Sequence, residues 1–229
     1  MNVVHILIVP TEPSVGSGLI HREPRQRRSQ DLLARLIGAA RALLDEKDFE
    51  RISIADIAKH AGVSVGVLYT RFPTKDHLLV HLASAFADDT SALMQRRFTD
   101  ERVIGLALGA LAELYFTTVA QAFTRHRRLL RAVTLLVRTT EHAELRPIVQ
   151  RFNAAVHQRF AECVLRHARI IRHANAETAV NFAILAASAT LREIVLYEEP
   201  VSNLARGQAA KAGRDCARLF TTYLTCSTD

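Results

Sequence analysis

Residues 53–75 decide the fold of this chain: Ser-Ile-Ala-Asp-Ile-Ala-Lys-His-Ala-Gly-Val-Ser-Val-Gly-Val-Leu-Tyr-Thr-Arg-Phe-Pro-Thr-Lys. Ser53, with Asp56 three residues later, forms the capping-box pattern that begins a helix. Gly62 indicates a tight turn, because a left-handed backbone conformation costs glycine little. Ser64 then suits the N-cap of a second helix. The stretch therefore predicts two short helices joined by a turn, which is the helix-turn-helix pattern.

Longer helices are predicted on both sides of this pair. Pro73 cannot lie in a helix interior, so the second short helix should end near Phe72, and Thr74 should cap the next helix. On the N-terminal side, Ser29 is expected to cap a helix with Asp31 in its first turn. The apolar positions of that helix recur at helical spacing and are Leu32, Leu33, Leu36, Ile37, Ala40, Leu43 and Leu44.

The composition favours a helical protein with a substantial core. The chain has 229 residues, of which 49% are hydrophobic and 23% charged, with 9 glycines and 6 prolines. The formal net charge of +7 suits a polyanionic partner without fixing a fold. Three cysteines without a Cys-x-x-Cys pair indicate a reducing compartment, so we expect the cytoplasm. The longest uncharged run, residues 178–191, is shorter than the ~20 residues that span a membrane, so no membrane partner is expected.

The C-terminal part of the chain also reads as helices. Apolar residues recur there at helical rather than alternating spacing, so the sequence predicts an all-α fold. The predicted helices are residues 100–124 with Asp100 as the cap, residues 126–139, one with Pro147 in its first turn, residues 175–198 capped by Asn175, and residues 202–226 capped by Ser202.

Patterns for catalysis or metal binding are weak. His77 and His81 lie four residues apart, as do Cys163 and His167, but the sequence places no third ligand with either pair. The chain lacks a glycine-rich phosphate loop, a Gly-x-Ser-x-Gly motif and a His-Glu-x-x-His motif. We therefore expect a protein that is not an enzyme and that uses no metal and no cofactor.

The helix-turn-helix stretch resembles the TetR family of one-component transcriptional regulators. The resemblance covers residues 28–87 and rests on Ile57-Ala58, Ala61-Gly62-Val63-Ser64, Gly66, Leu68-Tyr69, Phe72 and Lys75. It implies an N-terminal three-helix DNA-binding domain at 28–87. The prolines, glycines and arginines of residues 1–27 separately predict a disordered leader with a basic arm. Residues 88–229 are then expected to bind a small-molecule effector, with pocket residues unknown, and to form a homodimer through the last two helices.

Two features of this second domain bear on its partners. Its basic character hints at an anionic effector, although Arg125, Arg127 and Arg128 are more simply read as solvated. Small residues on the last two helices agree with a close contact between two copies of the chain, although alanine is also favoured by helix propensity alone. These small residues are Ala183, Ala186, Ala187, Ser188, Ala189, Ala205, Gly207, Ala209, Ala210 and Gly213.

The second short helix is expected to lie in the major groove of operator DNA. Val63, Leu68 and Phe72 are interpreted as core. The residues expected to face the bases are Val65, Gly66, Tyr69 and Thr70, with a half-buried surface tyrosine as the alternative for Tyr69. The residues expected to contact phosphates are Ser53, Ser64, Arg71 and Lys75.

The sequence thus predicts a DNA-binding transcriptional regulator, a repressor that a small-molecule effector releases from double-stranded operator DNA. A second interpretation stays open. Ala55 and Val65 are apolar where many family members carry polar residues that read bases. The chain could therefore be an effector-binding or interaction protein of the same fold whose DNA binding is weak or lost.

Overall fold

Helices make up most of the described part of the chain, which comprises residues 24–139, 145–197 and 209–226 of a computed structural model. No strand occurs within these ranges, so the all-α prediction is confirmed. Short 3-10 turns cover Phe49–Arg51 and Ala168–Ile170. The helices are α1 (Pro24–Glu46), α2 (Ile54–Ala61), α3 (Val65–Arg71), α4 (Lys75–Arg97), α5 (Asp100–Val103), α6 (Leu108–Arg125), α7 (Arg127–Thr139), α8 (Leu145–Leu165), α9 (Ala176–Leu196) and α10 (Ala209–Thr225).

The chain divides into two compact units between Ala34 and Arg35, inside α1. The described residues of the first unit, 24–34, form the first turns of that helix. The second unit contains the rest of α1 together with α2–α10. Both short helices of residues 53–75 therefore belong to the same unit as the C-terminal helices.

The start of α1 differs from the prediction. The helix begins at Pro24, so Ser29 lies inside it and does not cap it. Proline is favourable in a first helical turn, and the arginine and glutamine residues that follow are good helix formers. Residues 24–27 of the expected leader are thus helical, while residues 1–23 lie outside the described part.

The helix predicted from Asp100 to Thr124 is wrong in its extent. The chain forms the four-residue α5, turns at Gly105 with a left-handed φ of 82°, and begins α6 at Leu108. The Asp100 carboxylate is paired with α8 and the residue that follows it, because its Oδ1 lies 2.9 Å from Arg159 Nη2 and 2.7 Å from Arg166 Nη2. The apolar spacing continues across this break, which is why periodicity did not reveal it.

The later helices agree more closely with the sequence. Asn175 caps α9 as predicted, with its side-chain oxygen accepting a hydrogen bond from the Thr178 backbone at 2.9 Å. That helix ends at Leu196, two residues before the predicted end. Pro147 lies in the first turn of α8, as predicted. The predicted cap Ser202 lies outside the described residues.

The C-terminal helices pack around α6, whose Tyr115 and Phe116 are fully buried against Phe160 of α8 and Phe220 of α10. The crossing of α6 and α10 is close at Gly213. A Cβ atom there would lie 3.0 Å from the Phe116 carbonyl oxygen. Gly213 therefore serves packing inside the protomer, and the expectation that it supports a contact between copies is corrected.

α9 is long and apolar enough to span a membrane by length and composition, with a mean hydropathy of 1.5 over its most apolar window. The sequence did not indicate such a helix, because Arg192 and Glu193 interrupt its uncharged run. Its inward residues, including Val180, Ala187 and Leu191, are fully buried among α6, α8 and α10. Packing in the helical core accounts for these inward residues, while Phe182 and Leu185 on the same helix are exposed.

Hydrogen bonds from Arg128 connect α7 to the C-terminal end of α1. The Arg128 Nη1 atom donates hydrogen bonds to the carbonyl oxygens of Asp45 at 2.6 Å and Leu44 at 3.3 Å. Its Nε atom also lies 3.8 Å from the Asp48 carboxylate. The last carbonyls of a helix have no partner within the helix, so the guanidinium satisfies groups that need a donor. The interpretation of Arg128 as simply solvated is wrong.

Candidate nucleic-acid interface

The capping box predicted for α2 is present. Ser53 Oγ accepts a hydrogen bond from the Asp56 backbone at 3.0 Å, and Asp56 Oδ2 accepts one from the Ser53 backbone at 3.1 Å. The ammonium group of Lys47 lies 3.0 Å from the same carboxylate oxygen. The Ser53 backbone hydrogen bond, followed by that of Lys47, lowers the pKa of Asp56 to about 2. A permanent negative charge therefore stabilises the positive end of the α2 dipole.

The turn between α2 and α3 has the predicted glycine geometry and one support that the sequence did not reveal. Gly62 adopts a left-handed conformation with φ 64° and ψ 40°. Arg35 of α1 donates hydrogen bonds to the carbonyl oxygens of Ala61 at 2.6 Å and Gly62 at 3.1 Å. These bonds tie the turn to α1. Their partners are 26 and 27 residues apart in sequence, so no local pattern could predict them.

α3 presents one buried face and one exposed face, as expected. Leu68 is fully buried, and Phe72, at the C-cap, is buried with it. Val63, the third predicted core residue, is partly buried. The four residues predicted to face bases, together with Arg71, are all exposed. They are Val65, Gly66, Tyr69 and Thr70, with 40% exposure for Val65 and 49% for Tyr69.

Val67 is an exposed residue of α3 that the sequence analysis missed. It is 39% exposed, nearly as much as Val65 two positions earlier. Helical spacing could have revealed the exposure of Val67, because position 67 does not lie on the buried face of α3 that contains Leu68 and Phe72. Val67 projects from a different side of the helix than Val65 and Tyr69, because residues two apart in a helix do not share a face. Val65 and Tyr69, four positions apart, form an exposed pair of large side chains, and exposed apolar groups of this kind often mark binding surfaces.

The exposed side of α3 around Gly66 has no projecting side chain at that glycine and offers few free polar groups. A Cβ atom at Gly66 would find no neighbour nearer than Ser64 Oγ at 3.9 Å. The Thr70 hydroxyl donates a hydrogen bond to the Gly66 carbonyl oxygen at 2.9 Å. With its hydroxyl turned back to the helix, Thr70 offers mainly its methyl group. The exposed side of α3 can therefore approach DNA closely and make methyl contacts with the bases, but it offers few groups for paired hydrogen bonds to base edges.

Both predicted serine contacts lie at helix N-termini. Ser53 Oγ and Ser64 Oγ each accept a backbone hydrogen bond, from Asp56 at 3.0 Å and from Val67 at 3.3 Å. A serine oxygen that accepts in this way still carries a proton that it can donate. Each hydroxyl is therefore chemically able to cap its helix and to donate to a phosphate oxygen at the same time.

Lys75 has a structural role beyond the predicted phosphate contact. Its ammonium group donates a hydrogen bond to the Phe49 carbonyl oxygen and lies 4.2 Å from the centre of the Phe49 ring. Burial lowers the pKa of Lys75, and the acidic groups of Glu50 and Asp76 oppose this shift. An ammonium group has three donors, so these contacts leave capacity for a phosphate oxygen.

His77 and His81, singled out in the sequence, make local contacts. His77 Nδ1 lies 2.7 Å from Thr74 Oγ1, and His81 Nδ1 lies 2.9 Å from the His77 carbonyl oxygen. Among the described residues, no group of three or more histidine, cysteine or acidic side chains is placed to hold a metal ion.

Comparisons with known proteins identify the helix-turn-helix region. Residues 36–82 match the family model for bacterial regulatory proteins of the tetR family. Over 66 residues the chain is 41% identical to the HTH-type transcriptional regulator EthR of Mycolicibacterium smegmatis, and this region is 27% of the present chain and 30% of EthR. The sequence similarity to this relative therefore spans less than a third of its length.

Solved structures share the fold over most of the chain. A TetR-family transcriptional regulator from Mesorhizobium loti aligns with a TM-score of 0.63 at 18% identity, covering 86% of this chain and 96% of that one. Thermus thermophilus FadR, a TetR-family repressor in complex with lauroyl-CoA, aligns with a TM-score of 0.57 at 18% identity, covering 86% and 97%. Residues 36–82 are therefore similar to bacterial regulatory proteins of the tetR family, and the solved structures show that the fold is shared over most of the chain.

Proposed function

We propose that this protein is a homodimeric, sequence-specific DNA-binding regulator of the cytoplasm, a repressor that a small-molecule effector releases from its operator. The observation that carries the proposal is the solvent-facing surface of α3. Val65, Gly66 and Tyr69 project from a helix that is fixed on its other side by Leu68 and Phe72. A rigid helix with an exposed outer face fits the width of the DNA major groove.

The proposed contacts divide into two kinds. Val65, Gly66, Tyr69 and Thr70 face the bases, where methyl contacts and DNA shape supply the selectivity. Ser53, Ser64, Arg71 and Lys75 hold the phosphate backbone and set the register of the helix without reading sequence. Val67 is also exposed, but it lies on a different side of α3 from Val65 and Tyr69 and is assigned to neither group.

Dimerisation is supported by exposed apolar residues on α9 and α10. Phe182 and Leu185 lie three positions apart on α9 and are 55% and 61% exposed. Leu219 on α10 is 50% exposed. Residues three apart lie on one face of a helix, so these side chains offer an apolar surface to a second copy of the chain. A two-fold dimer would read half-sites about 10 base pairs apart or a multiple of that spacing.

Release by an effector requires a connection between the C-terminal helices and the helix-turn-helix formed by α2 and α3. Two contacts supply it. Arg128 of α7 binds the C-terminal carbonyls of α1. Phe86 of α4 packs against His126 and Phe152, with ring centroids 5.0 and 5.4 Å away. An effector that favours one arrangement of α7 and α8 would therefore act on α1 and α4, and typical couplings of this kind are about 1–3 kcal/mol.

A mobility-shift assay on the DNA upstream of the protein's own gene tests the proposal. At low salt, the full-length chain should shift this DNA and leave unrelated DNA of the same length mostly free. Intact dimers that shift neither DNA would instead support the alternative of an effector-binding protein that has lost DNA binding. The apolar Ala55 and Val65 make that alternative worth testing.

A further inference from the structure

A side chain of α1 completes the hydrogen bonding of the turn between α2 and α3. The backbone N–H groups of Gly62 and Val63 both bond to the carbonyl oxygen of Ala58, which closes the end of α2. The carbonyl oxygens of Ala61 and Gly62 accept hydrogen bonds from Arg35. The C-terminal end of a helix carries the negative end of its dipole, so a guanidinium is a favourable donor at this place.

The contact between Arg35 and the turn is close. A single atom, Arg35 Nη2, lies 2.6 Å from the Ala61 oxygen and 3.1 Å from the Gly62 oxygen. A Cβ atom at Gly62 would lie 3.3 Å from the same nitrogen, so the left-handed glycine and the guanidinium fit tightly against each other. A planar guanidinium presents its donors in a rigid arrangement. Two neighbouring peptide groups are therefore held in one orientation relative to α1.

These peptide groups lie directly before the proposed DNA-reading helix. Ser64, two residues after Gly62, caps α3, and Val65 and Gly66 then begin the proposed base-facing group. Further along α3, burial of the inward side chains holds the helix against the core. Burial of apolar surface is non-directional, whereas hydrogen bonds have a preferred direction. Arg35 therefore constrains the tilt of the N-terminal end of α3 in a way that burial alone does not.

The chemistry of the exposed side of α3 makes its placement important. Val65 and Tyr69 are exposed, and the Thr70 hydroxyl donates to the Gly66 carbonyl oxygen. Such a surface distinguishes bases by methyl contacts and by its fit to DNA shape. Contact attraction is short-ranged, and a gap of about 0.5–1 Å already loses roughly a quarter to a half of it. A small tilt of α3 should therefore reduce operator selectivity, while binding to unrelated DNA, which depends on phosphates, changes little.

We propose that Arg35 is a positioning residue that sets operator selectivity, because its hydrogen bonds to Ala61 and Gly62 fix the approach of α3 to the bases. The assignment rests on the proposed function, in which α3 reads DNA. The competing role is a direct phosphate contact, since Arg35 is exposed and both of its hydrogen bonds use Nη2. A phosphate contact would change affinity for all DNA together with its salt dependence, whereas a positioning residue changes the preference between sequences.

Fluorescence anisotropy at several salt concentrations tests this role, with the full-length chain, the DNA upstream of its own gene as operator, and unrelated DNA of the same length. Arg35→Gln should lower the operator preference about tenfold, comparable with the loss of one correctly read base pair. Its affinity for unrelated DNA should stay within about twofold, with an unchanged slope of log K against log salt concentration. Arg41→Gln is the matched control, because it removes the same charge from α1, where the partner of Arg41 is the exposed Asp89 at 3.1 Å. This control should keep the operator preference.

A double-mutant cycle tests whether Arg35 acts through α3. Gly66→Ala places a methyl group on the exposed side of α3 and should by itself remove much of the operator preference. If Arg35 acts by placing this side of the helix, Arg35→Gln should cost much less in the Gly66→Ala background than in the unaltered chain. Equal costs in both backgrounds would show that Arg35 acts independently of the surface around Gly66, and would contradict the proposal.

Hydrogen exchange without DNA gives an independent readout at the turn. The backbone N–H groups of Gly62 and Val63 should exchange faster in Arg35→Gln than in the unaltered chain or in Arg41→Gln. Equal exchange in the three proteins would show that Arg35 does not hold the turn, and would overturn its positioning role.

The DNA measurements separate the remaining outcomes. A salt slope lowered by about 0.9 in Arg35→Gln, with equal weakening on both DNAs, would assign Arg35 to a phosphate instead. If the unaltered chain prefers the operator and Arg35→Gln keeps that preference, the role of Arg35 alone is overturned. If the unaltered chain shows no operator preference, the proposed function fails and the role of Arg35 fails with it.

Discussion

Arg128 of α7 donates a 2.6 Å hydrogen bond to the carbonyl oxygen of Asp45, at the C-terminal end of α1. The two residues are 83 positions apart in the sequence. Their hydrogen bond connects the C-terminal helices to α1, the helix that supports α2 and α3. Arg35, on the same α1, holds the turn between α2 and α3 through Ala61 and Gly62. Hydrogen bonds therefore connect α7 to α1, and α1 to the turn between α2 and α3.

Replacement of Arg128 by alanine should weaken operator binding and loosen the end of α1. The lost bond is charged and partly exposed, so solvent screening should reduce its cost to about 1 kcal/mol, below the usual value for charged hydrogen bonds. Hydrogen exchange should report faster exchange at the C-terminal turn of α1. Arg131→Ala is the control, because it removes the same charge from an exposed position on the same helix. Equal effects of the two changes would show that α7 acts only through its net charge.

Lys75→Ala should weaken DNA binding and flatten its salt dependence. Loss of one phosphate contact lowers the slope of log K against log salt concentration by about 0.9. Because Lys75 also holds the Phe49 carbonyl, the variant should lose some thermal stability as well. Binding measured by fluorescence anisotropy at several salt concentrations gives the slope. Lys211→Ala, an exposed lysine of α10, should not change the slope, and an unchanged slope in Lys75→Ala would exclude a contact with the DNA backbone.

Leu185→Asp should separate the dimer into monomers and weaken operator binding with it. A carboxylate placed on the apolar surface of α9 would have to be desolvated when two copies associate. Light scattering coupled to size-exclusion chromatography gives the mass of the species in solution. Leu135→Asp is the control, because Leu135 on α7 is 52% exposed and lies outside the proposed interface. If Leu185→Asp remains dimeric, the copies associate through another surface.

The capping box at α2 predicts how acid acts on stability. Asp56 has its pKa lowered from 3.8 to about 2, chiefly by the Ser53 backbone hydrogen bond. A carboxyl group with a lower pKa in the folded chain contributes stability above its unfolded pKa and loses it as pH falls through the folded value. The stability difference between the unaltered chain and Asp56→Asn should therefore hold constant from pH 7 to about 4 and shrink between about pH 4 and 2. A difference that stays constant over that acidic range would show that the charge of Asp56 does not stabilise α2.

Local chemistry explains which parts of this structure the sequence could predict. The caps at Ser53, Ser64 and Thr74 and the glycine turn at Gly62 depend on neighbours within three or four residues, and all four are confirmed. The unequal faces of α3 follow from helical spacing alone. These elements carry the family resemblance, so the candidate DNA-binding surface was visible before the fold was known.

Other features depend on residues far apart in sequence and escaped the prediction. The bond from Arg128 to Asp45 and the close packing of Gly213 on Phe116 are set by tertiary contacts. The proximity of the Ser188 hydroxyl on α9 to the Tyr115 hydroxyl on α6 belongs to the same class, since Ser188 had been assigned to a contact between copies. The break at Gly105 was local but hidden, because apolar residues continue at helical spacing on both sides of it.

The most direct test of the account is an equilibrium competition between operator and unrelated DNA for the unaltered chain, Gly66→Ala and Gly38→Ala. A Cβ atom meets no neighbour within 4 Å at Gly38 and none nearer than 3.9 Å at Gly66, so the folded protein accommodates both changes. The account predicts that the unaltered chain and Gly38→Ala prefer operator by about 10³ or more. It also predicts that Gly66→Ala, with a methyl group between α3 and the bases, loses about tenfold or more of that preference. Equal operator preference in all three proteins would contradict the claim that this face of α3 reads DNA.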